Sequence, residues 1–253
     1  MLNSSWKFLD NPPPLAFAHR GVHLDAPENS WASFSAAAEL GYKYVETDVR
    51  GTADGKVIMC HDARASQIAG LTSRVSALTL GQLRSAAVTG EGGDVPLLSD
   101  VLENFPGLNF NIDVKDKRAA ELVPEIVRRA AAYDRVCITS FSARRIRTVR
   151  SRLVRAVCTG APVTEILRFL AQPGHYAGVP QPAALQIPFS WKGIRLVTRK
   201  LLREANEAGL AVHVWTLNDI ASIRAAIELG VDGIMTDAPV LLKRELTLRG
   251  RWH

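Results

Sequence analysis

The sequence predicts an α/β protein, a (β/α)8 TIM barrel with a small insertion after the second strand. Eight short runs rich in β-branched and aliphatic residues recur along the chain, and amphipathic stretches lie between most of them. A length of 253 residues suits one such barrel. Strands that alternate with helices typically form parallel sheets with right-handed crossovers. Eight units favour closure of the sheet, although the pattern alone leaves an open doubly wound sheet as an alternative.

The strand candidates are recognised by their content of Val, Ile, Leu and aromatic residues. They lie near residues 15–19, 42–49, 108–115, 135–141, 154–159, 183–188, 210–216 and 231–237. The first helix is predicted over ENSWASFSAAAELG, with Asn29 as its N-cap and Gly41 at its end. Residues 118–133, 198–209 and 217–230 carry apolar side chains at i, i+3, i+4 and i+7, which predicts three more helices.

One segment departs from this alternation. Residues 50–107 separate the second and third predicted strands of the barrel, which is far more than a crossover needs. The segment contains a further extended run at 56–62 and helical pieces around TLGQLRSA and LLSDVLENF. We therefore predict a single barrel domain over residues 1–253, with an insertion at about 51–107 that lies on the catalytic face or its rim.

Composition and charge exclude several classes of protein. The chain is 47% hydrophobic and 22% charged, which excludes collagen-like and predominantly disordered proteins. Its net charge of +6 is compatible with an anionic substrate and does not require nucleic acid. The arginine-rich segment 142–155 carries Ile146, Val149 and Leu153 along one face, which indicates an ordinary helix with solvated arginines. We predict no nucleic-acid partner and, because no run of ~18 apolar residues occurs, no membrane span.

The cysteines indicate a reducing compartment. Cys60, Cys137 and Cys158 show no CxxC spacing, and each sits in a hydrophobic strand-like run, so we expect buried free thiols. The first residues lack the basic and then apolar pattern of a secretory signal. We expect a cytoplasmic location, and the sequence makes no prediction about the oligomeric state.

Charged and titratable residues gather at the predicted strand ends. His19 and Arg20 end the first strand, and His61 follows the extended run of the insertion. Two pairs are spaced i, i+2 and therefore share a face of their strand. These pairs are Glu46 with Asp48, and Asp113 with Lys115. Since barrel enzymes place reactive groups at the carboxyl ends of their strands, we expect these side chains to converge.

The residue types indicate one kind of chemistry. Three carboxylates held together repel each other unless a cation is present, and oxygen donors suit Mg²⁺ or Ca²⁺. An arginine and a lysine beside them suit a phosphate group. Two histidines that titrate near neutrality suit a general acid and a general base. Together they predict metal-assisted cleavage of a phosphodiester.

The run AHRGVHLDAPENSWASFSAAAELGYKYVETDVRGTADGKVIMCHD resembles the opening of the glycerophosphodiester phosphodiesterase family. The later segments VPLLSDVLENF, NIDVK, HVWTLND and GVDGIMTDAPV extend the resemblance, in the family's order, over about residues 15–240. The resemblance implies a (β/α)8 barrel that hydrolyses glycerophosphodiesters to sn-glycerol 3-phosphate and an alcohol. It implies one divalent cation, Mg²⁺ or Ca²⁺. It also assigns roles: catalysis to His19 and His61, metal binding to Glu46, Asp48 and Asp113, and phosphate binding to Arg20 and Lys115.

Some positions depart from the family or keep two interpretations. Asp113 stands where the family usually has Glu, and the segment ARASQIAG, which we expect to face the non-phosphate end of the substrate, differs from the family pattern. Glu28 either contacts substrate or pairs with Arg20. Trp215 either packs against the substrate or belongs to the core. The remaining residues of this kind, which we expect to be structural or solvated, are His23, His175 and His213.

Two other functions compete with the predicted one. A lysophospholipase D or a sphingomyelinase D-like enzyme on the same barrel would need an apolar groove beside the site for an acyl chain. A catalytically silent barrel that only binds phosphodiesters is disfavoured, because every expected catalytic position holds a competent residue. The preferred head group, the choice of metal, the assignment of acid and base to the two histidines, and the release of a cyclic phosphate are left open.

Overall fold

The computed structural model of the chain describes residues 6–89, 95–176 and 182–253. Its strands are β1 (Leu15–His19), β2 (Tyr44–Gly51), β3 (Val57–Met59), β4 (Asn109–Val114), β5 (Val136–Thr139), β6 (Cys158–Thr159), β7 (Ala184–Pro188), β8 (Ser190–Trp191), β9 (Ile194–Arg195), β10 (Ala211–Trp215) and β11 (Gly233–Thr236). Its helices are α1 (Trp31–Glu39), α2 (Ser66–Ala69), α3 (Leu80–Thr89), α4 (Leu98–Asn104), α5 (Lys117–Arg129), α6 (Ala143–Arg152), α7 (Val163–Ala171), α8 (Arg199–Glu207), α9 (Ile220–Leu229) and α10 (Pro239–Thr247).

Eight parallel strands form a nearly closed barrel. Their order is β6–β5–β4–β2–β1–β11–β10–β7, and a parallel bridge between Gly160 and Ala184 connects the two ends. Each pair along this path is parallel, as expected for strands joined by helical crossovers. The barrel predicted from the sequence is therefore confirmed, and the open sheet is wrong.

The core has an inner and an outer part because each barrel strand is covered on both sides. Inside the barrel, Phe17 and Tyr44 pack together with a ring-centroid distance of 5.2 Å. Cys137, Cys158 and Met235 belong to the same inner cluster. Outside the barrel, apolar faces of the surrounding helices cover the strands, as Val123 of α5 and Ile223 of α9 illustrate. All three cysteines are buried and free, as predicted.

The insertion builds on β2 instead of forming its own sheet. Strand β3 pairs with the end of β2 in antiparallel fashion, with Val49 opposite Met59. Helices α2 and α3 pack around a small cluster that includes Ile58, Leu83 and Val95. Part of the predicted TGEGGDVP connection lies outside the described residues. The antiparallel pairing carries the chain back past the barrel mouth and leaves His61 there.

The start of α1 differs from the prediction. Ser30, and not Asn29, is the N-cap, and Ser30 and Ser33 form a reciprocal capping box. Asn29 has a φ of 56°, and its side chain instead contacts β2, where Oδ1 accepts a hydrogen bond of 2.7 Å from Thr47 Oγ1. The predicted end is confirmed, because Gly41 follows the last helical turn with a φ of 82°.

Two further predictions are refined. Strand β6 begins only at Cys158, and Val154, which the sequence suggested as its start, is 84% exposed. The arginine-rich segment forms α6, in which Ile146 and Val149 are buried, as expected for an ordinary surface helix. In the part of the chain that the structure describes, every helix is too short or too polar to cross a bilayer.

Candidate active site

The carboxyl ends of β1, β2 and β4 carry the predicted charged residues. His19 is the last residue of β1 and lies in register with Glu46 of β2. Asp48 of β2 lies in register with Asp113 of β4, and Lys115 follows that strand directly. Because side chains alternate along a strand, Glu46 and Asp48 both point into the barrel mouth. The structure thus brings together the residues that the sequence singled out.

After β1, the chain turns at the barrel mouth through two residues in the left-handed conformation. Arg20 and Gly21 have φ values of 57° and 84°. A Cβ atom on Gly21 would lie 2.5 Å from Ser33 Oγ, so only glycine fits between this turn and α1. Ser33 Oγ donates a hydrogen bond of 3.1 Å to the Arg20 carbonyl. The turn leaves the Arg20 guanidinium beside the β2 carboxylates.

Two cations neutralise part of the carboxylate cluster. Lys115 Nζ lies 2.8 Å from Asp48 Oδ1 and 2.6 Å from Asp113 Oδ2. Arg20 Nε lies 3.1 Å from Asp48 Oδ2, and Arg20 Nη1 donates a hydrogen bond of 2.7 Å to Glu28 Oε2. Burial would raise the pKa of Asp48, but the adjacent Lys115 and Arg20 outweigh it and leave that pKa lowered. For Asp113, burial outweighs Lys115, and the pKa is raised.

Glu46 is the least stabilised charge of the cluster. Burial, together with repulsion from Asp48, raises the pKa of Glu46 to about 8. Two buried carboxylate oxygens, Glu46 Oε2 and Asp113 Oδ1, have no hydrogen-bond partner among the described residues. Buried oxygens without partners are costly, and here they sit among charges of both signs. The cluster is therefore incomplete as it stands.

His19 is held from both sides. Its Nε2 lies 3.5 Å from Glu46 Oε2, and its Nδ1 lies 2.5 Å from Asp237 Oδ1. Asp237 is in turn fixed by Asn218, whose Nδ2 donates a hydrogen bond of 2.8 Å to Asp237 Oδ2. Burial would lower the pKa of His19, but the carboxylates of Glu46 and Asp237 outweigh it and raise that pKa. The ring is thus oriented with Nε2 on the side of the mouth.

His61 enters the site from the insertion. Its Nδ1 lies 2.8 Å from Asp62 Oδ1, and Arg50 donates two hydrogen bonds to its backbone carbonyl, at 2.9 and 2.8 Å. These contacts fix the loop that follows β3. His61 lines the same cavity as His19, with a side chain that is 37% exposed. Two separate chain segments therefore supply the two imidazoles.

The cavity at the mouth has a volume of about 800 Å³ and two unlike sides. One side consists of the charged residues described above, with Asn111 and Gln186 beneath them. The other side is apolar. It is lined by Phe141, Val163, Ile166, Leu167, Leu170, Ile187, Trp191, Leu196 and Trp215. A cavity of this size accommodates a ligand larger than a phosphate group.

The open interpretations of single residues now have structural answers. Glu28 forms the ion pair with Arg20 that was one of its two alternatives. Trp215 lines the cavity, and its ring meets Phe141 edge-on at a centroid distance of 5.8 Å. His23 Nε2 lies 3.4 Å from Asp237 Oδ1, closer to the site than a solvated loop residue. His213 is fully buried, as expected of a structural residue, whereas the His175 side chain lies outside the described residues.

The sequence did not single out two parts of the site. Asp237, which orients His19, lies in the GIMTDAP segment, directly after the last residue of β11. The apolar side of the cavity comes mainly from α7 and the segment around β8, which carry no recognisable motif. The segment ARASQIAG of the insertion was expected to face the non-phosphate end of the substrate. Among the described residues, the insertion contributes only His61 to the cavity lining, and the apolar side comes from elsewhere.

A divalent cation fits the donor set but not the present side-chain arrangement. Glu46, Asp48 and Asp113 offer hard oxygen donors, and two of these oxygens are buried without a hydrogen-bond partner, which suits Mg²⁺ and Ca²⁺. Within residues 6–89, 95–176 and 182–253, however, no group of three or more His, Cys, Asp and Glu side chains is arranged to hold a metal ion. Lys115 Nζ lies between Asp48 and Asp113 instead.

Comparison with known proteins gives one consistent family. A model of the glycerophosphoryl diester phosphodiesterase family matches residues 19–241. The chain is 35% identical to the "Probable glycerophosphodiester phosphodiesterase 2" of Mycobacterium tuberculosis, over 97% of this chain and 96% of that protein. It is 27% identical to the human "Lysophospholipase D GDPD1", over 89% and 84% of the two chains. The crystal structure of a Thermotoga maritima glycerophosphodiester phosphodiesterase covers 94% of this chain and 98% of its own, with 26% identity and a TM-score of 0.73.

Proposed function

The chain belongs to the glycerophosphoryl diester phosphodiesterase family, and we propose that it hydrolyses glycerophosphodiesters to sn-glycerol 3-phosphate and an alcohol. One observation carries this proposal. His19 and His61 line a single cavity together with Arg20, Lys115 and a buried carboxylate cluster. Two imidazoles beside cations are what cleavage of a phosphodiester needs, since one proton must be removed and another supplied while negative charge is held.

The charge balance of the cluster supports a divalent cation. Glu46, Asp48 and Asp113 supply three carboxylates, whereas Arg20 and Lys115 supply two cations. An anionic phosphodiester is therefore repelled by the cluster as long as all three carboxylates are ionised. Mg²⁺ or Ca²⁺ held by the three carboxylates would reverse that balance and stabilise charge on the phosphoryl oxygens.

Lys115 would then change partners. Its ammonium group now neutralises Asp48 and Asp113. If Asp48 and Asp113 held a cation, the Lys115 ammonium group would be free to hold a phosphoryl oxygen in the cavity that it lines. Arg20 binds the phosphate beside it and stays anchored to Glu28, which fixes the plane of its guanidinium.

The histidines handle the protons. One imidazole takes the proton from a nucleophile, either the glycerol 2-hydroxyl of the substrate or water, as that oxygen forms its bond to phosphorus. The other imidazole donates a proton to the oxygen of the leaving alcohol as its bond to phosphorus breaks. With the 2-hydroxyl as nucleophile these steps give a cyclic phosphate, which water then opens to sn-glycerol 3-phosphate with the two imidazoles in exchanged roles. In His19 the reacting atom is Nε2, because Nδ1 is engaged by Asp237. Asp237 thereby fixes both the tautomer and the direction of the ring.

Turnover of glycerophosphocholine tests this function. We expect release of sn-glycerol 3-phosphate and choline in the presence of Mg²⁺ or Ca²⁺, and loss of turnover in EDTA that either metal restores. His19→Ala is the control for a contaminating enzyme. The proposal fails if glycerophosphocholine, glycerophosphoethanolamine and glycerophosphoglycerol all remain intact with both metals.

The apolar side of the cavity favours a second candidate, a lysophospholipase D. Ile166, Leu167 and Leu170 of α7 lie in the same cavity as the phosphate-binding cations and offer a surface for an acyl chain. A relative with 27% identity carries that activity in its name. Lysophosphatidylcholine, assayed beside glycerophosphocholine, separates the two. If the acyl chain binds there, Ile166→Thr should lower kcat/KM about tenfold for the lysolipid and leave glycerophosphocholine turnover unchanged. Equal effects on both substrates would exclude an acyl-chain site.

A further inference from the structure

Large apolar side chains are exposed where the cavity opens. Trp191 is 60% exposed and Ile194 69% exposed, and both lie on a two-stranded hairpin formed by β8 and β9. Three residues of α7 are also exposed. They are Val163, Leu167 and Leu170, with exposed fractions of 42%, 59% and 53%. We call these five residues the mouth face.

The hairpin holds its two apolar side chains together. Trp191 lies opposite Ile194, and a two-residue turn of Lys192 and Gly193 joins them, with φ values of 48° and 80°. The two strands form their own small sheet, separate from the barrel sheet. The guanidinium of Arg195 lies over the Phe189 ring at 5.1 Å and ties the hairpin to the barrel. The tip is therefore a defined structure that presents an indole and an isoleucine.

Helix α7 is apolar on two sides. Phe169 is fully buried against the barrel. Val163, Leu167 and Leu170 follow an i, i+4, i+7 pattern and share another face. A surface helix normally carries polar residues on the side away from the core. Exposed apolar side chains grouped on neighbouring elements mark a surface that binds something.

The charge around the mouth face is strongly positive. Residues 160–203 contain six Lys or Arg residues and one acidic residue, Glu165. Glu165 is already paired with Arg150 at 2.6 Å. The side chains of Arg168, Lys192 and Arg195 are exposed and lie next to mouth-face residues in the sequence. Apolar side chains within a basic surround complement the surface of an anionic lipid bilayer.

We propose that the mouth face docks the protein onto an anionic phospholipid bilayer. Trp191 and Ile194 would enter the boundary between head groups and acyl chains, with the leucines of α7 beside them and the basic residues at the level of the head groups. Four mouth-face residues also line the active-site cavity, so the cavity would open toward the membrane. Such an opening would admit a lipid-derived phosphodiester directly from the bilayer, and this use of the cavity rests on the proposed function. The binding of the mouth face to the bilayer does not rest on it.

Sedimentation with vesicles tests the proposal. The full chain is mixed with vesicles of phosphatidylcholine alone, or with about one third phosphatidylglycerol. We expect sedimentation with the anionic vesicles, weakening as salt is raised, and little with the neutral ones. Ile194→Ser should reduce vesicle binding about tenfold and Lys192→Gln about fivefold. The matched controls are Val154→Ser and Lys56→Gln, which remove the same kinds of exposed side chain elsewhere.

Each result decides one question. Neither Ile194 nor Lys192 is among the residues lining the cavity, so both variants should turn over glycerophosphocholine at the wild-type rate. Vesicle binding without phosphodiester turnover would support docking while refuting the proposed function. Turnover without vesicle binding, or equal losses in Val154→Ser and Ile194→Ser, would overturn docking. So would a dimer that light scattering detects in the wild type and not in Ile194→Ser, since the face would then bind a second copy.

Discussion

Polar side chains lie inside the barrel at two levels, and the two levels differ in charge. At the mouth, carboxylates lie next to cations, and Glu46 and Asp113 each have a buried oxygen with no hydrogen-bond partner among the described residues. Asn111 lies two residues before Asp113 on β4, and His213 lies two residues before Trp215 on β10. Together with Gln186 of β7 they form the group that we call the deeper level. Both levels are largely enclosed by the same eight strands, so burial alone does not distinguish them.

The deeper level is neutral, and its two amides satisfy each other, while His213 Nε2 has no hydrogen-bond partner among the described residues. Gln186 Nε2 donates a hydrogen bond of 2.7 Å to Asn111 Oδ1, and Asn111 Nδ2 donates one of 3.3 Å in return. Burial lowers the pKa of His213 to about 3, which keeps the ring neutral. A Cβ on Gly233 would lie only 2.6 Å from His213 Cδ2, so the ring is also tightly packed. These residues resemble a core that happens to be polar.

Comparing the two levels distinguishes polar residues that support the fold from polar residues that serve the function. Neutral amides can satisfy one another in a low-dielectric interior, and nothing more is required. A cluster with more carboxylates than cations needs a bound proton or a bound cation to balance its charge, and such an excess is typical of functional sites. Substitutions at the mouth should therefore change activity with little loss of stability, and substitution of His213, which does not line the cavity, should do the reverse.

The largest expected effect concerns the two histidines at the mouth. If they transfer protons, His19→Ala and His61→Ala should each lower kcat by about 10²–10⁴-fold while the melting temperature changes little. The two losses should not add fully in the double variant, because both groups act on one transition state. Steady-state kinetics on glycerophosphocholine measures this. Near-normal kcat in either variant would show that the ring only positions the phosphate.

A substrate with a good leaving group sharpens this result. A p-nitrophenyl phosphodiester needs little protonation as its alcohol departs, so it should rescue the variant that lacks the general acid and not the one that lacks the base. The pattern of rescue would assign the two roles to His19 and His61. Equal rescue of both variants would contradict their division into an acid and a base.

The next effect concerns Glu46, whose buried carboxylate destabilises the fold when it is ionised. Glu46→Gln should weaken Mg²⁺ or Ca²⁺ binding and lower activity about 10²-fold. The pKa of Glu46 in the folded protein, about 8, lies above its ordinary value of 4.5. As pH rises between these two values, the unfolded state releases the proton first, so Glu46 increasingly destabilises the fold. In EDTA at pH 7.5 we therefore expect Glu46→Gln to be more stable than wild type, by up to about 4 kcal/mol in the free energy of unfolding, and to melt at a higher temperature. A lower melting temperature would mean that the carboxylate has partners in the metal-free protein.

The sequence allowed the mouth to be predicted far better than its surroundings. His19, Glu46, Asp48 and Asp113 follow a simple rule, since they lie at strand ends with a period of two. Asp237 was not predicted, because its contact with His19 spans 218 positions and forms only when β11 pairs with β1 and closes the barrel. No local pattern carries that information.

Two local rules failed for tertiary reasons. Asn29 is a good N-cap residue, yet β2 uses its side chain, where Oδ1 also accepts a hydrogen bond of 3.3 Å from the Asp48 amide. Ser30 caps the helix in its place. The mouth face was not predicted because the usual amphipathic pattern has one apolar stripe that faces the core, whereas α7 has apolar residues on two sides. What a second apolar stripe faces depends on the neighbouring hairpin, which begins 19 positions after the end of α7.

A smaller effect is expected from Asp237, which touches His19 and not the substrate. Asp237→Asn keeps the shape but removes one of the two carboxylate charges, Glu46 and Asp237, that raise the His19 pKa. We expect kcat to fall about 10–100-fold with little change in KM. The limb of the pH–rate profile that belongs to His19 should also move to lower pH. Asp219→Asn, an exposed N-cap that asparagine also suits, is the matched control. An unchanged pH profile would mean that Asp237 only supports the fold.

The smallest effect tests the deeper level, where the change should appear in stability alone. His213 has a folded pKa of about 3, below its ordinary value of 6.5, so the unfolded state takes up a proton first as pH falls. Its contribution to stability is therefore full above pH 6.5 and is lost toward acid. Between pH 7 and pH 6 the loss is about 0.7 kcal/mol, or roughly 2 °C in the melting temperature of a chain of this size.

His213→Asn isolates this contribution, because asparagine keeps an acceptor for the amide of Gln186, which lies 3.4 Å from His213 Nδ1, and does not titrate. The variant is expected to be less stable than wild type at both pH values, since it leaves space beside Gly233. Its loss of stability between pH 7 and pH 6 should nevertheless be smaller by that same amount, while kcat on glycerophosphocholine stays near the wild-type value. Thermal unfolding of both proteins at the two pH values measures the difference. If the two proteins lose stability equally, His213 is protonated in the folded state, and the deeper level would carry charge as the mouth does.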